Sequence, residues 1–279
     1  MLSTRDIRRK IRTVRNIQQI CRAMKTVASI RLRRAEVRLA NARPYGEKLR
    51  QVVASLAGAA PEHPFFAVRP PERLCLVVIT ADKGLCGAYN GNVMRAALEE
   101  LVAAGGGSVV TLGRKGRDFF RRRGYAVIDQ VVPLGGEPVF LDLLPVADHL
   151  GELFAQGALD RVLLVYTRFL SSSRHQVVAE TVLPIQAPTP ALVARDFIFE
   201  PPAPQLLAHL LPRYLRTLVS QAALEASASE HGARVMAMTA ASDNAEEVIH
   251  DLTRDYHKAR QAGITKEITE IVAAAEALA

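Results

Sequence analysis

IRRKIRTVRNIQQICRAMKTVA, residues 7–28, decides how this chain folds. Its apolar residues Ile7, Ile11, Val14, Ile17, Cys21, Met24 and Ala28 recur at steps of 4, 3, 3, 4, 3 and 4. A mean step of about 3.5 residues is the period of a coiled coil, in which one stripe of a helix seats against a partner helix. Ser3 or Thr4 can cap the start by accepting from a first-turn amide, and Asp6 suits the positive end of the helix dipole. The spacing predicts a helix to Leu56, with Pro44 as a candidate kink because proline removes one bond of the ladder.

The rest of that helix is strongly basic. Residues 1–50 carry fifteen Lys and Arg against three acids, whereas residues 205–279 carry seven against ten. The whole chain is only +8, so its basic character belongs to one segment. That pattern points to one acidic partner surface rather than to a protein that coats nucleic acid.

No proline follows Pro212, and Val235, Met238, Ala241, Ala245, Val248, Leu252, Tyr256 and Ala259 form a second helical stripe. At roughly 1.5 Å per residue, a helix from Arg213 to the end approaches ~100 Å, wider than most domains. Matching period and complementary charge predict that the two terminal helices pair. The segment between them is compact, so the pairing is expected to be antiparallel, with Met24 and Val27 near Tyr256–Ile264. The expected organisation is a coiled-coil helix over 1–57, an α/β domain over 72–204 and a second coiled-coil helix over 205–279. The Pro-rich stretches Ala57–Pro71 and Ala187–Pro204 read as linkers.

The middle has a different texture. Leu74–Ala81 is a continuous apolar run, as in a buried parallel strand. Ser108–Leu112, Ala126–Val132 and Arg161–Arg168 read as further strands, Gln176–Ile185 as an alternating one and Asp196–Glu200 as a short aromatic one. Helices are expected over Val93–Ala103, Gly116–Gly124 and Pro145–Gln156. This alternation predicts a Rossmann-like α/β domain with a largely parallel sheet, inserted between the two long helices.

Two Gly-rich stretches, Asp82–Gly91 (DKGLCGAYNG) and Gly113–Gly116 (GRKG), follow strands, where a phosphate loop would sit. Neither has Walker or dinucleotide spacing, so both read as tight turns in which Gly supplies a positive φ. Cys86, beside Lys83, reads as a small buried thiol. The histidines lack ligand spacing on one helix face, and no nucleophile elbow is present. The reading is therefore no catalytic residue, no cofactor and no metal. Cys21, Cys75 and Cys86 are too scattered for a disulfide framework, which suits a reducing compartment.

The start lacks the apolar stretch of a signal peptide. The longest uncharged run, Thr181–Ala194, is broken by three prolines and falls short of the ~20 apolar residues of a membrane span. The basic stripe has no interleaved aromatics for nucleic acid and no Trp or Phe anchors for a membrane surface. Ile271–Ala279 (IVAAAEALA) has one charge in nine residues. A helix end apolar on every side calls for burial on every side, in a socket that another protein supplies.

Several long motifs in one order resemble the gamma subunit of F-type ATP synthases. They are DIRRKIRTVRNIQQICRAMKTVASIRLRRA near the start, ITADKGLCGAYNGNV in the centre, and LEASASEHGARVMAMTAASDNAEEVI and ARQAGITKEITEIV near the end. GRKGRDFF, ETVLPI and FIFEP fit the same family. The resemblance implies a non-catalytic rotor whose terminal helices form an antiparallel left-handed coiled coil inside a head of three alpha and three beta subunits. Its α/β domain would be a foot that meets the epsilon subunit and the ring of c subunits. It implies beta-subunit contacts at Met24, Lys25, Arg260, Gln261, Thr265 and Glu267, an apolar bearing at Ile271, Val272 and Leu278, and a c-ring side at Phe197, Phe199 and Glu200. The location implied is peripheral, on the cytoplasmic face of a bacterial cell membrane, with no span and no nucleic acid among the partners. Departures from the family pattern are Cys21 for Thr, Ile30 for a small residue, His257 for Asn, Ala274 and Ala275 near the usual Gly-Ala, and Gly263 for Ala or Ser. The last removes about 1 kcal/mol of helix stability. Two other readings of the residues are a nucleotide-binding α/β enzyme with coiled-coil arms and a basic coiled-coil adaptor for nucleic acid.

Overall fold

A computed structural model describes residues 4–57, 63–70, 72–132, 140–186 and 200–278. Two helices bracket the chain, α1 (Thr4–Ala57) and α5 (Ala203–Leu278). Between them come β1 (Leu74–Ile79), α2 (Tyr89–Ala103), β2 (Ser108–Leu112), α3 (Arg114–Arg122), β3 (Val127–Val132), α4 (Phe140–Ala155), β4 (Arg161–Phe169) and β5 (His175–Leu183). The chain divides into two compact units, one of Met1–Val27 with Val235–Ala279 and one of Ala28–Arg234.

In the larger unit the five strands lie in the order β3-β2-β1-β4-β5. The pairs β2–β3, β1–β2 and β1–β4 are parallel, and β4–β5 is antiparallel. Leu76 of β1 sits opposite Val109 of β2 and Leu163 of β4. Every residue of β1 is buried, as the apolar run Leu74–Ile79 requires of a central strand covered on both faces. Alternate residues feed two cores. Cys75, Val77 and Ile79 pack with Leu143, Leu150 and Phe154 of α4 and with Leu49, Val53, Leu207 and Leu211 of the long helices. Leu74, Leu76 and Val78 pack with Val93, Ala97 and Leu101 of α2 and Phe120 of α3. Burial of side chains such as Phe120 and Phe154 contributes about 1.5–3 kcal/mol each.

Several element starts differ from the expectation. Helix α2 begins at Tyr89, four residues before Val93, and α4 begins at Phe140 and runs through Pro145. Helix α5 begins at Ala203 rather than Arg213 and accommodates Pro212. Leu207, Leu211, Tyr214 and Leu215 are all buried there. Packing of four large side chains outweighs the single ladder bond that a proline removes. Helix α1 likewise continues through Pro44.

The two Gly-rich turns divide the work unevenly. Gly87 and Gly113 have φ of 58° and 98°, as expected, but the left-handed residue beside Gly84 is Leu85, at 61°. A Cβ on Gly113 would lie 2.0 Å from the Thr80 carbonyl oxygen. Gly116 is needed for closeness rather than for φ, since its Cβ would lie 2.9 Å from Thr80 Oγ1. Most of the expected strand Asp196–Glu200, including Phe197 and Phe199, lies outside the described residues; Glu200 itself is exposed.

Candidate functional site

The smaller unit holds most of the residues singled out from the sequence. Its seam is antiparallel. Arg8 Nη2 donates to Tyr256 Oη at 2.5 Å. Gln18 Nε2 donates to the Ser242 carbonyl and to Glu246 Oε2, each at 3.4 Å. Arg22 donates to Ser242 Oγ and to Glu246 Oε2, also at 3.4 Å. From Arg8 to Gln18 along α1 the partner moves backwards along α5 from Tyr256 to Glu246, and Gln18 and Arg22 straddle the same pair, Ser242 and Glu246.

That register places Met24 level with Ala240 and Val27 level with Ala237. The expected neighbourhood of Met24 and Val27, Tyr256–Ile264, is thus more than two heptads away. A heptad stripe alone permits slips by whole repeats, because every repeat presents the same apolar face. The polar pairs break that degeneracy. Glu246 meets Gln18 and Arg22, and Tyr256 takes the Arg8 guanidinium 5.3 Å from its ring centroid.

The stripe itself needs one correction. Ile17 is 49% exposed. The covered positions run Ile7, Ile11, Val14, Gln18, Cys21, then Met24 and Lys25 together, then Ala28. The seam therefore passes through polar Gln18, and Met24 and Lys25 are both half-buried on it. Counting only apolar residues pulled the expected stripe onto Ile17. The amide of Gln18, which reaches two acceptors, explains why a polar side chain is tolerated there.

The same register puts Thr4 level with Arg260. Arg260, Gln261, Thr265 and Glu267 are exposed, and so is every residue from Ile264 to Ala275. Ile271 is 69% exposed. Ile264, Ile268, Ile271 and Val272 are large apolar side chains left exposed on this stretch, and such a grouping on one helix marks a site for a partner. Val272 shares that surface, while the side chain of Leu278 lies outside the described residues. Met24 and Lys25 sit twenty residues of α1 away from Thr4, about 30 Å along the helix. The structure thus separates the expected contacts into two places, one at Met24 and Lys25 and one from Arg260 onward.

In the larger unit, strand connections leave β1 in one direction through β2 and β3 and in the other to β4. The crevice beyond the carboxyl ends of β1 and β4 is where open α/β sheets bind ligands. Here α5 fills it. Tyr89 Oη donates to the Ala226 carbonyl at 3.0 Å, and Ser229 Oγ donates to the Thr167 carbonyl at 3.0 Å. Three amides at the ends of the two Gly-rich turns are engaged as well. Ala81 N–H is bonded to Asn90 Oδ1, Arg114 N–H to Asp82 Oδ1 and Gly116 N–H to Thr80 Oγ1. Burial pushes the Cys75 thiol up to about 11 and raises Cys86, with both sulfurs sequestered. Thiolates are the reactive form, so neither is primed for attack. The described residues hold no cluster suited to a metal and no helix long and apolar enough to cross a membrane.

LEASASEHGAR, residues 224–234, lies on α5 next to the sheet, and the signal it carries in the sequence is its density of small and polar residues. Alanine and serine let strands approach closely, and Gly232 shows the limit: a Cβ there would lie 2.7 Å from His175 Cε1.

The family model for ATP synthase matches residues 3–278. The ATP synthase gamma chain of Moorella thermoacetica is 44% identical over 281 residues, and that of Cupriavidus pinatubonensis 43% identical over 291 residues, each alignment covering 100% of both chains. Among solved structures, a chain of the Euglena gracilis mitochondrial ATP synthase OSCP/F1/c-ring superposes with a TM-score of 0.70 at 19% identity, covering 99% of this chain and 94% of that one. A chain of the Tetrahymena thermophila mitochondrial central stalk and c-ring gives 0.59 at 24% identity, covering 80% and 99%. At these identities the structures speak for the fold.

Proposed function

This chain belongs to the ATP synthase gamma-chain family, and on that premise we propose that it is the central stalk of an F-type ATP synthase. As a rotor it couples ion flow through a membrane ring of c subunits to ATP synthesis and hydrolysis at the beta subunits. The observation that carries this reading is the exposed end of α5, from Ile264 to Ala275. An isolated chain leaves those isoleucines in water, and an enclosing head of alpha and beta subunits covers them.

The chain is a non-catalytic subunit in this reading. The ligand crevice of its sheet is filled by its own α5, which supports a mechanical role over the alternative of a nucleotide-binding enzyme. The shaft comprises residues 1–57 and 205–279, and the foot comprises 72–204. Met24 and Lys25 meet the beta subunits part-way along the shaft, and Arg260, Gln261, Thr265 and Glu267 meet a beta-subunit loop nearer its tip. Ile271, Val272 and Leu278 turn in an apolar bearing. Phe197, Phe199 and Glu200 face the c ring, and the epsilon subunit binds the foot. The exposed arginines of α1 face acidic surfaces of the head. The location is the membrane, peripherally, on the cytoplasmic face in a bacterial cell.

Co-expression with alpha, beta, epsilon and the membrane sector tests this directly. The chain should purify with alpha and beta subunits, and vesicles holding the complex should pump ions on addition of ATP. Coupled pumping by a complex lacking the chain would overturn the reading.

A further inference from the structure

We propose that Arg234 is a positioning residue that clamps the loop between β1 and α2 onto α5, so that the foot and the shaft turn as one body. The proposal rests on the central-stalk reading and assigns to one side chain the task of keeping the rotor stiff.

Arg234 is the last residue of the larger compact unit, where α5 leaves it. Its guanidinium pairs with Glu230 at 2.8 Å, and the two side chains are only 10% and 9% exposed. Nη2 also donates to the Gly84 carbonyl at 3.2 Å, and Nη1 lies 3.2 Å from His231 Nδ1. One planar cation thus joins a turn of α5 to a loop 150 residues away in sequence. Nη2 alone reaches both Glu230 and Gly84 while Nη1 faces His231, and the rigid planar fork fixes these directions together, which a freely rotating ammonium does not.

Asp82 ties the start of the loop to α3 by accepting from the Arg114 amide at 2.9 Å, and Arg234 ties its outer half to α5 at Gly84. Leu85, next to Gly84, holds a left-handed φ of 61° although it is not a glycine, and its side chain is 62% exposed. Burial of Leu85 therefore does not explain its conformation, and such residues persist where the surroundings over-determine them. On the inner side Cys86 and Tyr89 are buried with Ala81 against Ala233, and Tyr89 bonds to Ala226. On the outer side Arg234 holds Gly84. The loop is thereby gripped at both ends of one α5 segment, Ala226–Arg234, immediately before the helix departs. A buried ion pair is a weak contributor to net stability, but removal of one partner leaves the other charge uncompensated. Such a contact suits a joint that must not slip.

The test uses the complete membrane-bound complex with three variants, Arg234→Met, Arg234→Lys and Glu230→Gln. Three quantities are read: assembled complex, ATP hydrolysis rate, and ions pumped per ATP hydrolysed. Arg234→Met is expected to assemble and hydrolyse ATP but to pump about two-fold less or worse per ATP, the lower end of what one residue in a coupling network changes. Arg234→Lys recovers part of the ratio. Glu230→Gln, which keeps the shape and removes the buried anion, shows a smaller loss of the same kind. An unchanged ratio in Arg234→Met overturns the proposal. Should that variant not assemble, an unchanged ratio in Glu230→Gln overturns it. A wild-type complex that pumps normally with unaltered variants sinks the clamp alone, whereas pumping without this chain sinks the central-stalk reading.

Discussion

Arg8 donates to the Tyr256 hydroxyl across the seam of α1 and α5, and its guanidinium lies 5.3 Å from that ring's centroid. With Gln18 and Arg22 meeting Ser242 and Glu246, the pair sets one register out of those an apolar heptad permits. It also leaves the residues after Arg260 beyond Thr4, the first described residue of α1.

The register predicts a disulfide that uses a native thiol. Cys21 is buried at the seam, and Ser242 bonds to the residues on either side of it. Ser242→Cys should form an intrachain bond with Cys21 under mild oxidation, seen as a shift in non-reducing electrophoresis. Cα atoms must lie within about 7 Å for such a bond. Met24→Cys with Ile264→Cys, which satisfies the alternative register, should remain reduced. The opposite result would move the helices by more than two heptads.

Gly263 sits in α5 with nothing within 4 Å of an added Cβ. Gly263→Ala should stabilise the helix there by about 1 kcal/mol, because alanine loses less backbone entropy. Amide hydrogen exchange over residues 258–268 should slow. Exchange at the wild-type rate would mean that this turn is already held by other contacts.

Glu225 provides a pH-dependent test. Burial raises its pKa, against the attraction of Arg168 and Arg43, while Glu180 adds repulsion. Its Oε2 has no hydrogen-bond partner among the described residues. A raised folded-state pKa means that the folded chain binds the proton more tightly than the unfolded one, so stability falls as pH rises through that value. Glu225→Gln should therefore raise the denaturation midpoint at neutral pH. The gain should fade as pH drops below the ordinary Glu value of about 4.3, where both states carry the proton. A gain that persisted at pH 3 would assign the effect to packing.

The two roles proposed along the end of α5, polar at Arg260 and Gln261 and apolar at the tip, should separate by phenotype. Truncation after Val272 removes seven residues that are apolar apart from Glu276, so it should weaken assembly or slow turnover while rotation continues. Arg260→Ala with Gln261→Ala removes polar groups worth about 0.5–1.5 kcal/mol each. That double variant should lower ATP synthesis more than it lowers the amount of assembled complex. Full synthesis in the double variant beside complete loss in the truncation would reverse the roles assigned to them.

Local pattern in the sequence was enough to reveal α1, from its period, and the burial of β1, from its continuous apolar run, while the compactness of the segment between the terminal helices gave their antiparallel order. What local pattern lacked was anything non-repeating. Ile17 and Gln18 are adjacent, and only the partner helix decides which faces inward. Pro212 forbids nothing once Leu207 and Leu211 are buried on either side of the residue that loses its bond. The loop after β1 looked like a place for phosphate because its glycines do follow a strand. Its crevice is filled by a helix that begins more than a hundred residues later, a long-range fact that no local motif carries.

Rotation is the central claim, and it can be watched. Val102 is an exposed residue of α2, so Val102→Cys offers a handle for a bead on a complex whose alpha–beta head is fixed to glass. On addition of ATP the account predicts rotation of the bead in one direction, with torque lost in Arg234→Met before hydrolysis is lost. Steady ATP hydrolysis with a bead that never turns would contradict it.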